Sequence, residues 1–384
     1  MLTIGGAVGV MLAAEVAIRV RWAVQHHDPA YLVIGLVNIK AKSAPRPVGQ
    51  QVTKYQARQT APAVAAAPTV GQQAAKPPVG AVAMPTINGS KQWNPCAQRE
   101  ISFRTNSTGG RGPEWAIRKA PGSVRVLAMG ESSTYGAAND EDQTWPAILE
   151  RQLRERGVAA EVLNFGVPGQ RIDGMLSALP NLLETYHPDL IVHYGGFNET
   201  WDAPEVPQVF SSLNYRSMLY TYIYEKLYFR AEASAKAFLP DTKTYEARVT
   251  TMIETAQKHG VKLMMVSQAV SGGNDARTGR ECAARWRDSA ALSSCVSQVM
   301  AQADERYPRL VRIRMIKTMI LEQVLADVAA KFSVPVIDPR ETLVERDENH
   351  LFCDEIHLTD KGNSTLVSTI VSPILGVLSG APGR

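Results

Sequence analysis

The sequence predicts an α/β fold with a doubly wound, five-stranded parallel sheet. From residue 123 onward, apolar segments of strand length alternate with amphipathic segments of helical length. The strand-like segments are apolar on both faces, as in parallel sheets that are covered on both sides. The predicted strands cover residues 123–130, 160–167, 189–196, 261–268 and 334–339.

The segments between these strands are predicted to be helices. In the first of them, Trp145, Ile148, Leu149 and Leu153 follow a helical spacing, and Gly157 ends the segment. The other predicted helices cover residues 171–185, 245–259, 318–332 and 360–378. Active sites of such sheets lie beyond the carboxyl ends of the strands. The residues that follow the strands are therefore the first candidates for function.

The first 95 residues differ from the rest of the chain in charge. The 384-residue chain has a formal net charge of +4, but residues 1–95 hold nine Lys and Arg residues against two acidic ones. Residues 96–384 are therefore slightly acidic, which argues against nucleic-acid binding, because such domains are basic. Four cysteines in this length exclude a fold built on a disulfide framework.

Residues 1–14 are uncharged and mostly apolar. The run is shorter than the roughly 20 residues of a membrane-spanning helix, but Arg19 and Arg21 can extend it by reaching the interface. We expect residues 1–43 to be a hydrophobic anchor or signal segment with its juxtamembrane region. A cleaved signal peptide would need a basic start and a small-residue cleavage site, and a buried core helix is the third interpretation. By the positive-inside rule, the two arginines favour a cytoplasmic flank.

Residues 44–95 are predicted to form a linker. Residues 44–86 consist mainly of Ala, Pro, Val and Gln and include seven prolines. Such a composition has little to bury and favours an extended chain. A proline-rich ligand for a partner domain is the alternative. The predicted layout is an anchor (1–43), a linker (44–95) and one folded domain (96–384).

Small, polar or nucleophilic residues follow the predicted strands. GESSTYG, after the first strand, contains Ser132, and NFGVPG, at the second, ends in Gly169. GGFNE, at the third strand, contains Asn198, and DEIHLTDKG, beyond the fifth, contains Asp354 and His357. Because the carboxyl ends of parallel strands share one edge of the sheet, we expect these five residues at one site.

These residue types together indicate nucleophilic catalysis by serine. A serine hydroxyl needs a base to take its proton, and His357 titrates near neutral pH. Asp354 precedes His357 by three residues and would hold one ring nitrogen. The N–H groups of Gly169 and Ser132 and the amide of Asn198 would donate to the oxyanion. Each residue alone is more often a turn or cap residue, so their combined order carries the hypothesis.

Four segments resemble the signature blocks of the SGNH/GDSL hydrolases, and the resemblance covers roughly residues 100–378. The segments are GESS (130–133), NFGVPG (164–169), GGFNE (195–199) and DEIHL (354–358). The resemblance implies a flavodoxin-like three-layer α/β/α sandwich. It implies Ser132 as the nucleophile, His357 as the base and Asp354 as its partner. It also implies Gly169 and Asn198 as the oxyanion hole.

The chain departs from the pattern of this family at two carboxylates. Glu131 and Glu199 stand where the family usually has Asp, so we expect shifted local geometry with the same nucleophile. Ser133 is a rival nucleophile, but the block places Ser132 in the catalytic position. Residues 101–115 resemble a segment of membrane-anchored bacterial members, in which the domain lies outside the cytoplasm. We give this resemblance more weight than the positive-inside argument from Arg19 and Arg21, and therefore expect a membrane-anchored, extracytoplasmic protein on the periplasmic or cell-surface side.

The resemblance implies a serine esterase that hydrolyses acyl or acetyl esters through an acyl-enzyme. The alternatives are an acyltransferase that passes an acetyl group to a glycan with the same residues, and a non-catalytic binding module. The expected partners are a small-molecule or glycan ester and, through the N-terminal segment, the membrane. No cofactor or metal is predicted, because no metal-ligand spacing or glycine-rich phosphate loop occurs in the sequence.

Other candidates have more ordinary interpretations. His350 is expected in a solvated loop, and His193 in the core of the third strand. Cys282 and Cys295 either form a disulfide in an exported domain or remain buried thiols, and Cys96 and Cys353 would be a second pair. The long segment 199–244 is rich in aromatic residues, which indicate either a binding wall or a helix packed on the core.

Overall fold

The structure is a computed structural model, and contacts divide the chain into two units. The first unit comprises residues 1–51 and 202–238, and the second residues 52–201 and 239–384. The structure describes residues 13–17, 19–21, 90–94, 99–200, 239–271, 279–301, 309–344 and 350–379. In the first unit, residues 13–17 and 19–21 are helical, and Arg19 forms an ion pair of 2.6 Å with Glu15. The rest of the predicted anchor, most of the predicted linker and the aromatic-rich residues 201–238 lie outside the described residues.

The second unit is built on a parallel sheet and a small hairpin. The strands are β1 (Ser90–Asn94), β2 (Arg99–Phe103), β3 (Val124–Gly130), β4 (Ala160–Gly166), β5 (Leu190–Tyr194), β6 (Lys262–Val266) and β7 (Val336–Ile337). β1 and β2 pair antiparallel, and the other five form one parallel sheet in the order β4-β3-β5-β6-β7. Counted along the chain, this is the flavodoxin-like order 2-1-3-4-5. The predicted α/β fold is therefore confirmed.

Helices cover both faces of the parallel sheet. They are α1 (Ser132–Tyr135), α2 (Trp145–Glu155), α3 (Ile172–Tyr186), α4 (Thr242–Lys258), α5 (Ser289–Ala301), α6 (Arg309–Lys331), α7 (Arg340–Val344) and α8 (Asp360–Ser379). Buried residues of α3, α4 and α6 form the core on one face, and those of α2 and α8 form the core on the other. The molecule thus has the three layers that the resemblance implied.

The two-sided core explains why the strands are mostly apolar on both faces. Along β3, Leu127 and Met129 contribute to one core, whereas Val126 and Ala128 contribute to the other. Successive side chains of a strand point to opposite faces, so a strand covered on both faces favours apolar residues at successive positions.

Helix α8 is the one described helix that is long and apolar enough to cross a membrane by length and composition. Its residues Leu366, Val367 and Ile370 are buried in the core beside the sheet. In the structure, α8 is therefore a core helix of the α/β domain.

The described elements differ from the predicted ones most clearly at helix α6 and strand β1. Helix α6 begins at Arg309, nine residues before the predicted start at 318. Its first turns carry Arg312, Arg314 and Lys317, which are buried although they are cationic, and periodicity of apolar residues does not detect such a segment. Strand β1 lies within the range 44–95 that composition predicts as a linker, and its partner β2 lies beyond that range.

A disulfide joins Cys282 to Cys295, with their Cα atoms 5.4 Å apart. Both cysteines are buried. The bridge ties the chain before α5 to α5 itself, so the structure contains the disulfide and not the alternative buried thiols. Cys353 is also disulfide-bonded, and Cys96 lies outside the described residues.

Candidate active site

Ser132 opens helix α1 at the carboxyl end of β3, the central point where the chain switches from one side of the sheet to the other. Crevices at such switch points are the usual ligand sites of doubly wound sheets. The turn is tight, because a Cβ atom on Gly130 would lie 2.0 Å from the Tyr194 carbonyl oxygen. Glycine at position 130 therefore lets the chain turn closely enough to present Ser132, which is partly exposed.

Three of the predicted residues form one chain of hydrogen bonds. The Oγ atom of Ser132 lies 2.8 Å from Nε2 of His357. Nδ1 of the same ring lies 2.6 Å from Oδ2 of Asp354. In the neutral ring that carries its proton on Nδ1, Nδ1–H donates to Asp354 and Nε2 accepts from Ser132. This arrangement can take the serine proton and stabilise the imidazolium that results.

The second carboxylate oxygen of Asp354 is occupied by the backbone. Oδ1 accepts the N–H of Ile356 at 3.0 Å and the N–H of His357 at 2.8 Å. The loop closes on itself, because the N–H of Cys353 donates to the His357 carbonyl oxygen at 2.7 Å. Asp354 is therefore fixed in one orientation, with Oδ2 left for the imidazole.

Ser133, the rival nucleophile, points elsewhere. It is buried, and its hydroxyl donates to the Ile356 carbonyl oxygen at 3.4 Å. Ser132 is the serine that contacts His357, so the geometry favours it over its neighbour as the nucleophile.

The two predicted oxyanion donors lie on adjacent loops that are bound to each other. The side-chain amide of Asn198 donates to the Gln170 carbonyl oxygen at 3.1 Å, next to Gly169. Gly169 has a φ of +78°, which favours glycine, and no atom lies within 4 Å of a Cβ atom built on it. Within the described residues, the N–H groups of Ser132 and Gly169 have no hydrogen-bond partner. Both remain available to a bound ligand.

Glu131 joins the nucleophile turn to the Asn198 loop. Its carboxylate accepts the N–H of Gly196 at 2.9 Å and the N–H of Asn198 at 3.1 Å. Burial raises the pKa of Glu131 to about 8, although the Gly196 hydrogen bond opposes this shift. The sequence singled out Glu131 only as a departure from the family pattern and did not predict this bridging role.

Glu199, the second departure, fixes the start of α3. Its carboxylate accepts the Ile172 N–H at 2.5 Å and pairs with Nη1 of Arg248 at 2.9 Å. Nη2 of Arg248 pairs with Asp173 at 3.0 Å. Arg248 was not a sequence candidate, because nothing in the sequence of α4 indicates that its arginine pairs with a glutamate in a distant loop.

His357 and Asp354 each shift the pKa of the other toward its charged form. Burial by itself lowers the pKa of His357, but the Asp354 carboxylate outweighs burial and raises this pKa above its ordinary value of 6.5. Burial likewise raises the pKa of Asp354, but the imidazolium and its hydrogen bond shift the balance and lower this pKa overall. The carboxylate therefore stays ionised and favours the protonated ring.

Two further buried glutamates also have raised pKa values: Glu355, next to Asp354 in the chain, and Glu322 of α6. Burial raises the pKa of Glu322 to about 8, and it raises that of Glu355 to about 7 with the help of the Asp354 charge. For Glu322, burial outweighs the opposing interactions with Arg340 and Ser267. Ionisation of Glu322 therefore costs folding free energy.

We expect the substitution Glu322→Gln to stabilise the protein at alkaline pH. The folded state holds the Glu322 proton up to about pH 8, whereas the unfolded state releases it near 4.5. Stability therefore falls as pH rises through this window, and a neutral glutamine removes the fall. Calorimetry should show a higher Tm at alkaline pH, by about 2–4 °C for each kcal/mol, and a much smaller difference near pH 4.5. Parallel curves of Tm against pH for the two proteins would contradict this prediction. The control is Glu341→Gln, at an exposed glutamate of α7, which should leave the pH dependence of Tm unchanged.

Two other histidines were considered from the sequence, and each has its own environment. His350 is exposed, as predicted, with a φ of +55°. His193 is buried within β5, but neither ring nitrogen has a hydrogen-bond partner in the described part of the chain. The expectation that His193 lies in the core is therefore confirmed, and burial lowers the pKa of His193 to about 4. No described group of three or more His, Cys, Asp or Glu residues has a metal-binding arrangement.

Comparison with known proteins places these residues in context. The model of the GDSL-like lipase/acylhydrolase family matches residues 128–364. An arylesterase of Vibrio mimicus is 31% identical over 77 residues, which cover 20% of this chain and 38% of the relative. The esterase TesA of Pseudomonas aeruginosa is 32% identical over 74 residues, covering 19% of this chain and 37% of the relative. The chain thus spans less than two fifths of the length of these relatives.

Among solved structures, the acetyl xylan esterase AlAXEase is similar with a TM-score of 0.41 and 15% identity. The match covers 65% of this chain and 100% of that one.

Proposed function

The chain belongs to the GDSL-like lipase/acylhydrolase family, and from this premise we propose that it is a serine esterase that hydrolyses acyl or acetyl esters. The observation that carries the proposal is the continuous hydrogen-bonded path from Ser132 through His357 to Asp354. The related arylesterase and esterase support the reaction class. Ser132, His357 and Asp354 are the proposed catalytic residues, with Gly169 and Asn198 as oxyanion donors.

The first half-reaction forms an acyl-enzyme. Nε2 of His357 takes the hydroxyl proton as the Ser132 oxygen bonds to the ester carbonyl carbon. The resulting oxyanion accepts hydrogen bonds from the N–H groups of Ser132 and Gly169 and from the free amide hydrogen of Asn198. The bond from the carbonyl carbon to the leaving oxygen then breaks, and His357 returns its proton to that oxygen. The alcohol leaves and the acyl group stays on Ser132.

Water completes the second half-reaction by the same route. His357 takes a proton from water, and the water oxygen bonds to the acyl carbon. The bond from that carbon to the Ser132 oxygen breaks, and His357 gives the proton back to the serine. The products are the carboxylic acid and the free enzyme, so atoms and protons balance over the cycle.

A pre-steady-state assay on the full-length chain tests this reaction. With 4-nitrophenyl acetate, we expect a burst of about one 4-nitrophenol per chain if deacylation is the slower step, as in acyl-enzyme mechanisms generally. Mass spectrometry of the quenched protein should then find one acetyl group on Ser132. An absence of hydrolysis above the buffer rate would contradict the proposed function. Faster product release with a sugar acceptor, together with an acetylated sugar, would favour the acyltransferase alternative.

The rate should depend on pH through His357. Only the neutral ring can act as the base, so kcat/KM falls as pH decreases through the pKa of this ring. Because Asp354 raises this pKa above 6.5, the acid limb of the profile should have its midpoint above pH 6.5. A profile of kcat/KM from pH 5 to pH 9 measures it, and a flat profile would contradict the role of His357 as base.

We also propose that the domain lies outside the cytoplasm and is held at the membrane by its N-terminal segment. The Cys282–Cys295 disulfide supports an oxidising compartment, because such bonds rarely persist in the cytosol. Fractionation of cells that express the full chain would place it in the membrane fraction, accessible to protease from the outer side. Recovery in the cytosol with free thiols at both cysteines would contradict the proposal.

A further inference from the structure

Arg314 of helix α6 lies behind the loop that carries Asn198. Its Nε atom donates to the Thr200 hydroxyl oxygen at 3.2 Å, and its Nη2 atom donates to the Phe197 carbonyl oxygen at 3.4 Å. The guanidinium carbon lies 3.9 Å from the centroid of the Phe197 ring. The Arg314 guanidinium therefore contacts Phe197, just before Asn198 in the turn, and Thr200, two residues after it.

A hydrogen bond between Thr200 and Phe197, the two residues that Arg314 contacts, closes the turn. The Thr200 hydroxyl, which accepts from Arg314, donates in turn to the Phe197 carbonyl oxygen at 2.6 Å. Arg314 and Thr200 are both buried, so water does not compete for these hydrogen bonds. A planar fork that also stacks on an aromatic ring is specific to arginine, and lysine cannot reproduce both contacts.

The other sides of the turn are held by the nucleophile loop and by the Gly169 loop. The Asn198 N–H donates to Glu131 at 3.1 Å, and the side-chain amide donates to the Gln170 carbonyl oxygen at 3.1 Å. A side-chain amide has two hydrogens, so the bond to Gln170 fixes the amide plane and leaves one hydrogen for the oxyanion. The direction of that hydrogen depends on where the turn holds the Asn198 backbone.

We propose that Arg314 is a positioning residue for Asn198, holding the Phe197–Thr200 turn so that the free amide hydrogen faces the reaction centre. This inference rests on the proposed esterase function, in which Asn198 is an oxyanion donor. A displacement of about 1 Å at a donor costs about 10²-fold in rate, so a contact behind the turn is sufficient to control the reaction. The sequence did not indicate Arg314, because it lies in the part of α6 that apolar periodicity missed.

A double-mutant cycle on the full-length chain tests the inference. With 4-nitrophenyl acetate, Arg314→Met should lower kcat by about 10- to 100-fold while KM stays within about threefold. Asn198→Ala should lower kcat by about 10²- to 10³-fold. The double variant should be no slower than Asn198→Ala alone, within about threefold, because Arg314 acts through Asn198. Arg314→Lys should fall between wild type and Arg314→Met.

Arg287→Met is the matched control. Arg287 also stacks on an aromatic ring, with its guanidinium carbon 4.6 Å from the Trp286 centroid, and it pairs with Asp327 on the surface. This variant should keep the wild-type kcat. Additive losses in the double variant, or a kcat of Arg314→Met within about twofold of wild type, would overturn the inference.

Hydrogen exchange gives a second readout that does not depend on ester hydrolysis. By mass spectrometry, the peptide that contains residues 196–200 should exchange on the order of tenfold faster in Arg314→Met, because the turn loses two hydrogen bonds and a stacked ring. Peptides from β3 should be unchanged. If the wild-type chain hydrolyses no ester, the proposed function fails, and this readout still decides whether Arg314 holds the turn. Equal exchange of residues 196–200 in both proteins would overturn the inference.

Discussion

Replacing Ser132 by alanine is expected to lower kcat for ester hydrolysis by about 10⁴- to 10⁶-fold, the range found when a triad nucleophile is removed. The variant keeps the fold, because the Ser132 hydroxyl is partly exposed and its described hydrogen bond is the one to His357. The measurement is the hydrolysis rate of 4-nitrophenyl acetate, together with a Tm that stays near that of the wild type.

Ser133→Ala is the matched control for this prediction. Ser133 is adjacent in sequence, but its hydroxyl bonds to the Ile356 carbonyl oxygen instead of the imidazole. We expect its kcat to remain within about threefold of wild type, since the substitution removes one long neutral hydrogen bond. The reverse result, with Ser133→Ala inactive and Ser132→Ala active, would assign the nucleophile to Ser133.

Replacing Asp354 by asparagine should lower kcat by about 10⁴-fold, the effect that a wrong histidine tautomer has in other serine hydrolases. The backbone N–H groups of Ile356 and His357 both donate to one carboxylate oxygen. In the variant they select the amide oxygen and leave the NH₂ group facing Nδ1 of His357. The imidazole must then carry its proton on Nε2, where it cannot accept the proton of Ser132.

The pH profile and a control variant separate this effect from unfolding. Without the carboxylate that raises the pKa of His357, the acid limb of the residual activity should move to lower pH. Asp327→Asn, at an exposed carboxylate that pairs with Arg287, should retain the wild-type rate and profile. If the Asp354→Asn variant kept more than about a tenth of the wild-type kcat, the proposed role of Asp354 would be wrong.

The fold was predictable because the signals for its central elements are strong. The strands β3 to β6 are apolar on both faces, and Gly residues or polar turns end them, so their positions differ from the predicted ranges by at most two residues. Strand β7 keeps only Val336 and Ile337 of the predicted 334–339. It pairs with β6 alone, at the edge of the sheet, where fewer hydrogen bonds fix its ends.

The candidate site was predictable as a set of residues but not as a network. The residues that follow the strands stand out in the sequence, because strand ends meet at one edge of a parallel sheet. Glu131, Arg248 and Arg314 hold these residues in place through contacts that span tens of residues of chain. Charged side chains in helices and turns have many possible partners, and only the fold selects the one they contact.

Labelling with a fluorophosphonate tests the central claim most directly, because this reagent phosphonylates a serine only where a base activates it. On the folded full-length chain, we expect one phosphonyl group per chain, and peptide mapping should place it on Ser132. Labelling should be lost in Ser132→Ala and after denaturation, and retained in Ser133→Ala. If the folded wild-type chain takes no label, or takes it at a residue other than Ser132, the assignment of Ser132 as the activated nucleophile is wrong.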